Sequence, residues 1–108
     1  MIYRIPCECS ACYIGQTKQK LSKRLSQHKN DCKITNMQRE NKTALAVHHF
    51  NTGHKFSFED TKILDIEPNW FKRNISEMYF IKKNETINFR TDVDNLNIVY
   101  SQLFELRQ

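Results

Sequence analysis

Glycine occurs only twice in 108 residues, at Gly15 and Gly53. Loops that cradle phosphates need glycines at several closely spaced positions, where the backbone must approach the ligand or take positive φ. Neither the G-x-G-x-x-G nor the Walker pattern can be written with this chain. Rossmann dehydrogenases and P-loop NTPases are therefore excluded. No run approaches the ~18–20 apolar residues of a bilayer span, and no apolar stretch at the start has the length of a signal peptide. No membrane association is expected. Apolar residues at 39% and charged residues at 27% are ordinary for a globular chain, and the length is that of one domain, residues 1–108.

Hydrophobic patterning divides the chain into short elements. Residues 2–6 alternate and read as a strand, residues 7–11 as a cysteine-rich turn and residues 12–15 as the returning strand, an opening β-hairpin. Leu21, Leu25 and His28 recur at spacings of four and three, which predicts a helix over 18–31 with Thr17 as its N-cap. Residues 32–42 are polar and read as a loop. A short helix follows over 43–51, capped by Thr43, with Leu45, Val47 and His48 on or near one side and Gly53 suited to end it. Residues 55–58 and 61–66 read as extended. Pro68 precedes a longer helix over 69–84 whose apolar positions are Phe71, Ile75 and Met78, with the stem of Lys82. Leu96, Val99, Leu103 and Leu106 are also spaced as on a helix. The order β-β-α-α-β-α predicts a mixed α/β (α+β) domain, with a small antiparallel sheet of about three strands flanked by helices.

Seventeen Lys and Arg against twelve Asp and Glu leave a net charge of +5. A basic surface attracts polyanions, because neutralising phosphates releases condensed counterions. Lys18, Lys20, Lys23, Arg24, Lys29 and Lys33 fall within one stretch, and Lys72, Arg73, Lys82 and Lys83 form a second cluster. Of the four cysteines, Cys7, Cys9 and Cys12 lie within six residues and Cys32 stands apart. Without a signal peptide, metal ligation or free thiols are expected rather than disulfides. By spacing alone Cys9-x2-Cys12 is the preferred ligand pair, with Cys7-x4-Cys12 close behind, since Cys7-x-Cys9 is tighter than the usual zinc spacing. His48-x5-His54 fits the looser spacing of histidine ligands, and His49 competes with His48.

A further set of residues bears on chemistry. Tyr3 and Tyr13 lie on the two strands of the hairpin, Arg24 and His28 share a helical face at i and i+4, and Glu77 lies inside the long helix. Phosphodiester cleavage needs a group to deprotonate water, a cation against the pentacovalent phosphate, usually a metal, and support for the leaving oxygen. Tyr, Arg, His and Glu supply those capacities. Taken singly, each is more often a packed tyrosine, a solvated basic face or a surface carboxylate.

Taken in order, the set carries a resemblance. Tyr3, then Tyr13-Ile14-Gly15-Gln16-Thr17, Arg24 and His28, then Glu77 and Asn88 resemble the GIY-YIG nuclease domain. Met1 stands where that family has glycine ahead of Ile2-Tyr3. Ile5-Pro6-Cys7-x-Cys9, Leu45-Ala46-x-His48-x5-His54, Arg73-x3-Glu77 and Ile87-Asn88 are similar, more narrowly, to the endonuclease domain of Penelope-like retroelements.

The resemblance implies a metal-dependent DNA endonuclease serving target-site cleavage in retroelement insertion. It implies that Tyr3 and Tyr13 flank the scissile phosphate, one of them helping to activate water, that Arg24 contacts that phosphate or steadies the attacking group, and that His28 transfers a proton or orients a tyrosine. Glu77 would hold one Mg²⁺ or Mn²⁺, and Asn88 would orient substrate or a neighbouring group. It favours Cys7, Cys9, His48 and His54 as ligands of a structural Zn²⁺, with Cys12 as the substitute. Four protein ligands leave no open coordination position, so such a zinc would not itself cleave DNA. Lys18, Lys20, Lys23, Arg24, Lys29 and Arg73 are the expected DNA contacts. The domain is expected to act inside the cell, in the nucleus, as one piece of a polyprotein with a reverse transcriptase. The alternative is a non-catalytic, zinc-stabilised nucleic-acid-binding module of the same fold.

Overall fold

The structure is a computed structural model, and residues 1–89 are described here. The helix-spaced set Leu96, Val99, Leu103 and Leu106 lies outside the described residues. Three strands, β1 (Ile2–Pro6), β2 (Cys12–Gln16) and β3 (Lys62–Asp65), form an antiparallel sheet in the order β2-β1-β3. Three helices, α1 (Leu21–Asp31), α2 (Ala44–Thr52) and α3 (Trp70–Lys83), pack around it. This is the mixed α+β class that the patterning predicts.

Strand alternation divides the core in two. Tyr3 and Ile5 point to one face of the sheet. There they join Tyr13, Cys7, Phe56 and the α2 residues Ala44 and Leu45, with Leu21 and Leu25 of α1 against them. Ile2, Cys12 and Ile14 point to the other face and pack on Ile81, Met78 and Phe80 of α3, together with Leu64. Fully burying an aliphatic side chain contributes about 1.5–3 kcal/mol, so the hairpin is held from both faces by helices distant in sequence.

The helix ends follow local chemistry, with one shift. Thr43 Oγ1 accepts from Ala46 N at 3.3 Å, and Gly53 closes α2 in the left-handed region at φ 75°. Asn69 Oδ1 accepts from Lys72 N at 3.0 Å and caps α3. Thr17 does not cap α1. Its backbone N–H is tied to the Met1 carbonyl at 3.0 Å, and its hydroxyl accepts from Gln19 N at 3.0 Å. Residues 17–20 therefore turn the chain out of β2, and the helix starts at Leu21 rather than at residue 18. The polar stretch after α1 contains a single 3-10 turn, Ile34–Asn36, and a second 3-10 turn, Phe58–Asp60, replaces the end of the extended segment expected over 55–58. Phe56 alone of that segment bridges the hairpin, at Cys7.

The long helix is rotated from the predicted orientation. Its sheet-facing stripe is Arg73, Asn74, Glu77, Met78 and Ile81, whereas Phe71 and Ile75 line a surface groove with Tyr79, Asp65 and Glu67. Ile81 and Met78 fill the sheet interior, which leaves the polar half of that stripe to meet the polar end of β2. After α3 the chain runs beside the free edge of β2. Thr86 forms a parallel bridge to Cys12, and Asn88 Oδ1 and Nδ2 pair with Ile14 N (3.0 Å) and O (2.8 Å).

Candidate active site and metal centre

Tyr3 pairs with Gly15 across β1 and β2, while Tyr13 pairs with Ile5, so the two tyrosines lie diagonally on one face with ring centroids 6.4 Å apart. The Tyr3 ring lies directly over Gly15. A methyl group there would stand 2.5 Å from Tyr3 Oη and 2.6 Å from Tyr3 Cζ. Glycine is required at this position by close approach, not by backbone conformation.

α1 brings its basic face down on the tyrosines. His28 Nε2 lies 2.8 Å from Tyr3 Oη, and the imidazole packs edge-on against Tyr13 at 5.3 Å. Arg24, one turn earlier, donates from Nε to the same phenol oxygen at 3.3 Å and from Nη1 to Gln27 Oε1 at 3.0 Å. His28 is fully buried, and burial, followed by the charge of Arg24, pushes its pKa down to about 4. The imidazole is therefore neutral near pH 7. Burial raises the Tyr3 phenol above its ordinary value, Arg24 pulls it down by charge and hydrogen bond, and the charge of Glu77 raises it. With Arg24 donating to the oxygen, the phenol proton is directed at His28 Nε2, which selects the tautomer protonated on Nδ1. That Nδ1 is buried and has no hydrogen-bond partner among the described residues. Leaving such a group unpaired costs about 1–3 kcal/mol, a sacrifice common at sites held for chemistry rather than stability. Tyr3 itself is 0% exposed and Tyr13 9%, while Arg24 is half-buried. Of these groups, Arg24 offers the most open approach to a phosphate.

Glu77 approaches from the other face of the sheet, on α3. Its half-buried carboxylate accepts a hydrogen bond from Gln16 Nε2. Gln16 Nε2 also donates to Asn74 Oδ1 at 2.9 Å, and Gln16 Oε1 accepts from Arg73 Nε at 2.7 Å. The Tyr3–Arg24–His28 group and the Glu77 group thus meet at the Gly15–Gln16 end of β2. A half-buried single carboxylate suits a hard divalent cation that keeps most of its waters.

The structure relocates two expected site residues. Arg73 is 4% exposed, and its guanidinium is turned inward to Gln16 and to the carbonyls of Glu67 (3.4 Å) and Pro68 (3.2 Å). It therefore does not belong to the basic surface. Lys18, Lys20, Lys23 and Lys29 are exposed, as is Lys33. Asn88 uses both ends of its amide on the main chain of Ile14, and so steadies the strand between Tyr13 and Gly15. Gln16 lies inside the Tyr13-Ile14-Gly15-Gln16-Thr17 motif, and the sequence alone gives it no role. The alternation of β2 was the signal, since it turns Gln16 toward α3 with Ile14.

Ligand atoms of Cys7, Cys9, His48 and His54 all lie within 4.8 Å of one another. Cys9 Sγ is 3.7 Å from His48 Nε2, which is 3.1 Å from His54 Nδ1. Zn–S and Zn–N bonds of about 2.3 and 2.0–2.1 Å around a tetrahedron give edges of about 3.3–3.8 Å, so the two cysteines and two histidines match Zn²⁺ in donor type and need shifts of up to about 1 Å to reach that tetrahedron. Burial raises the Cys7 thiol above its ordinary value and lowers His48 below its own. Two turn cysteines meet two histidines on and just past α2, which ties the hairpin to that helix. Cys12 is on the opposite face, against Ile2, Ile14 and Ile81, and cannot substitute for Cys9. His49 Nδ1 faces the His54 carbonyl at 2.8 Å instead of the cluster.

No helix among the described residues is long and apolar enough to cross a membrane. Searches of curated proteins and of solved structures return no significant match. The family model described as the GIY-YIG catalytic domain matches residues 1–91, and it covers both halves of the site. The chain belongs to the GIY-YIG catalytic domain family, a family of nucleases.

Proposed function

We propose that this domain is a metal-dependent DNA endonuclease that nicks target DNA for insertion of a Penelope-like retroelement. The observation that carries the chemistry is the convergence of Tyr3, Arg24 and His28 with Glu77 at one end of the hairpin. A divalent cation on Glu77, Mg²⁺ or Mn²⁺, would neutralise phosphate charge and lower the pKa of water. The chain's own groups do the rest. Arg24 meets the phosphate, as a planar guanidinium suits its oxygens. Tyr3 orders Arg24 and hydrogen-bonds the neutral His28, and Tyr13 borders the same space. Lys18, Lys20 and Lys23 surround the N-terminal end of α1, whose positive dipole end adds to their attraction for the DNA backbone, and Lys29 extends the exposed basic face into its last turn. The Cys7–Cys9–His48–His54 group holds Zn²⁺ as a structural clamp. The motif spacing around that clamp supports the retroelement reading, in which the domain acts in the nucleus as part of a polyprotein with a reverse transcriptase.

The test is plasmid nicking with Mg²⁺ or Mn²⁺ by wild type and Glu77→Ala. The variant should keep DNA binding and lose turnover. Binding without metal-dependent nicking by the wild type would establish the alternative, a non-catalytic nucleic-acid-binding module.

A further inference from the structure

The hydrogen bonds around Gln16 admit only one orientation of its amide. Arg73 can only donate, so the group facing its Nε at 2.7 Å is Gln16 Oε1. Asn74 Nδ2 is committed to the Trp70 carbonyl at 2.8 Å, which turns Asn74 Oδ1 toward Gln16. Gln16 Nε2 therefore has two acceptors in front of it, Asn74 Oδ1 and a carboxylate oxygen of Glu77. Exchanging the amide's nitrogen and oxygen would set NH₂ against a guanidinium and oxygen against a carboxylate. Arg73 and Asn74 are themselves buried, and Arg73 is anchored on the Glu67 and Pro68 carbonyls. The amide is locked at both ends.

Arg73 and Glu77 stand one turn apart on α3, where an arginine and a glutamate commonly pair directly. Here the guanidinium directs its hydrogen bonds to Gln16 and to the two carbonyls, and Gln16 stands between it and Glu77. A direct ion pair would neutralise the carboxylate and weaken its hold on a cation. The Gln16 amide instead fixes one carboxylate oxygen without bringing a charge of its own.

We propose that Gln16 is a positioning residue. Its amide, oriented by Arg73, holds one oxygen of the Glu77 carboxylate and so sets that carboxylate to receive the divalent cation. The inference rests on the reading of Glu77 as the metal carboxylate. Outer partners of metal-ligating carboxylates are commonly worth about 10–100-fold in metal affinity or activity.

The experiment measures Mn²⁺ binding directly, from the electron paramagnetic resonance signal of free Mn²⁺, on zinc-loaded protein. Plasmid nicking against Mn²⁺ concentration and thermal melting are measured alongside. Gln16→Met keeps the length of the side chain and removes the amide. Gln16→Asn keeps the amide but is one methylene too short to span Arg73 and Glu77. In both, Mn²⁺ affinity should fall about 10–100-fold, with half-maximal nicking moved to higher Mn²⁺ in step and duplex DNA binding unchanged. Wild-type Mn²⁺ affinity in either folded variant overturns the proposal. So does loss of Mn²⁺ binding only in proportion to loss of the folded state, in both variants, which makes Gln16 a structural staple. Glu77→Ala separates the two levels. If it binds Mn²⁺ and nicks as wild type does, the reading of Glu77 fails whatever the Gln16 variants do. If it loses both while the Gln16 variants behave as wild type, only the inference about Gln16 fails.

Discussion

Replacing Gly15 with alanine should disable the Tyr3–Arg24–His28 group while leaving the fold in place. The new methyl would lie 2.5 Å from Tyr3 Oη, 2.6 Å from Tyr3 Cζ and 3.0 Å from Tyr13 Cε1. Comfortable contacts begin near 3.5 Å, so the phenol must retreat by about 1 Å. The Tyr3–His28 bond is 2.8 Å and the Arg24–Tyr3 bond already 3.3 Å, and a shift of that size takes at least one beyond hydrogen-bonding range. Misplacement by about 1 Å near reacting groups is associated with losses on the order of 100-fold, about 2.7 kcal/mol in the barrier. Overpacking should lower stability by about 1–3 kcal/mol. Gly15 does not have positive φ, so the backbone adds no strain of its own.

The assay is a double-mutant cycle of Gly15→Ala and Tyr3→Phe, read by plasmid nicking rate and by urea denaturation. Both changes act through the same phenol, so their effects on rate should be far from additive. Tyr3→Phe should already carry most of the loss. A Gly15→Ala enzyme nicking within about threefold of wild type would refute the reasoning, and so would full additivity in the cycle.

Three further outcomes are expected. The His28 pKa falls from the ordinary 6.5 to about 4 on folding, so the unfolded chain binds the extra proton between those values and stability rises with pH across that window, by about 3 kcal/mol. Urea denaturation at pH 4–7 should show that slope in wild type and a correspondingly smaller one in His28→Phe. Chelation should loosen or unfold the protein, since structural zinc contributes on the order of 10 kcal/mol in small domains. Elemental analysis should find one zinc in wild type and Cys32→Ser, and less in Cys7→Ser and His54→Ala, while Cys12→Ser should weaken the core but keep its zinc. Duplex affinity should fall with salt at a log–log slope of about −0.9 per phosphate contact, and Lys20→Ala with Lys23→Ala should flatten that slope by about 2. A slope unchanged by both substitutions would remove α1 from the DNA surface.

Local regularities carried most of the element order. Alternation over residues 2–6 and 12–15 marked the hairpin, and the caps Thr43, Gly53 and Asn69 act within a few residues of themselves, so they can be read without the fold. The start of α1 could not, because Thr17 is held by the Met1 carbonyl, a partner sixteen residues away. The face that α3 presents to the sheet is likewise set by distant partners. Of the expected apolar positions only Met78 faces the sheet, where with Ile81 it fits the gap left by Ile2, Cys12 and Ile14, while Phe71 and Ile75 line the outer groove. Sequence also could not foresee that Arg73 would be buried, since its partners are one amide on β2 and two carbonyls before α3.

The order of tyrosines, Arg24, His28 and Glu77, and the spacing of the cysteines and histidines, are properties of the sequence alone, and they identify the chemistry available. Which of those groups touch is a tertiary matter. Tyr3 and His28 are 25 residues apart and Gln16 and Glu77 61 residues apart. The two pairs approach the same end of β2 only because α1 and α3 pack on opposite faces of one sheet. The same two-sided packing sends Cys12 away from Cys7 and Cys9. Side chains on a strand alternate, and a face acquires its partners only when distant helices cover it.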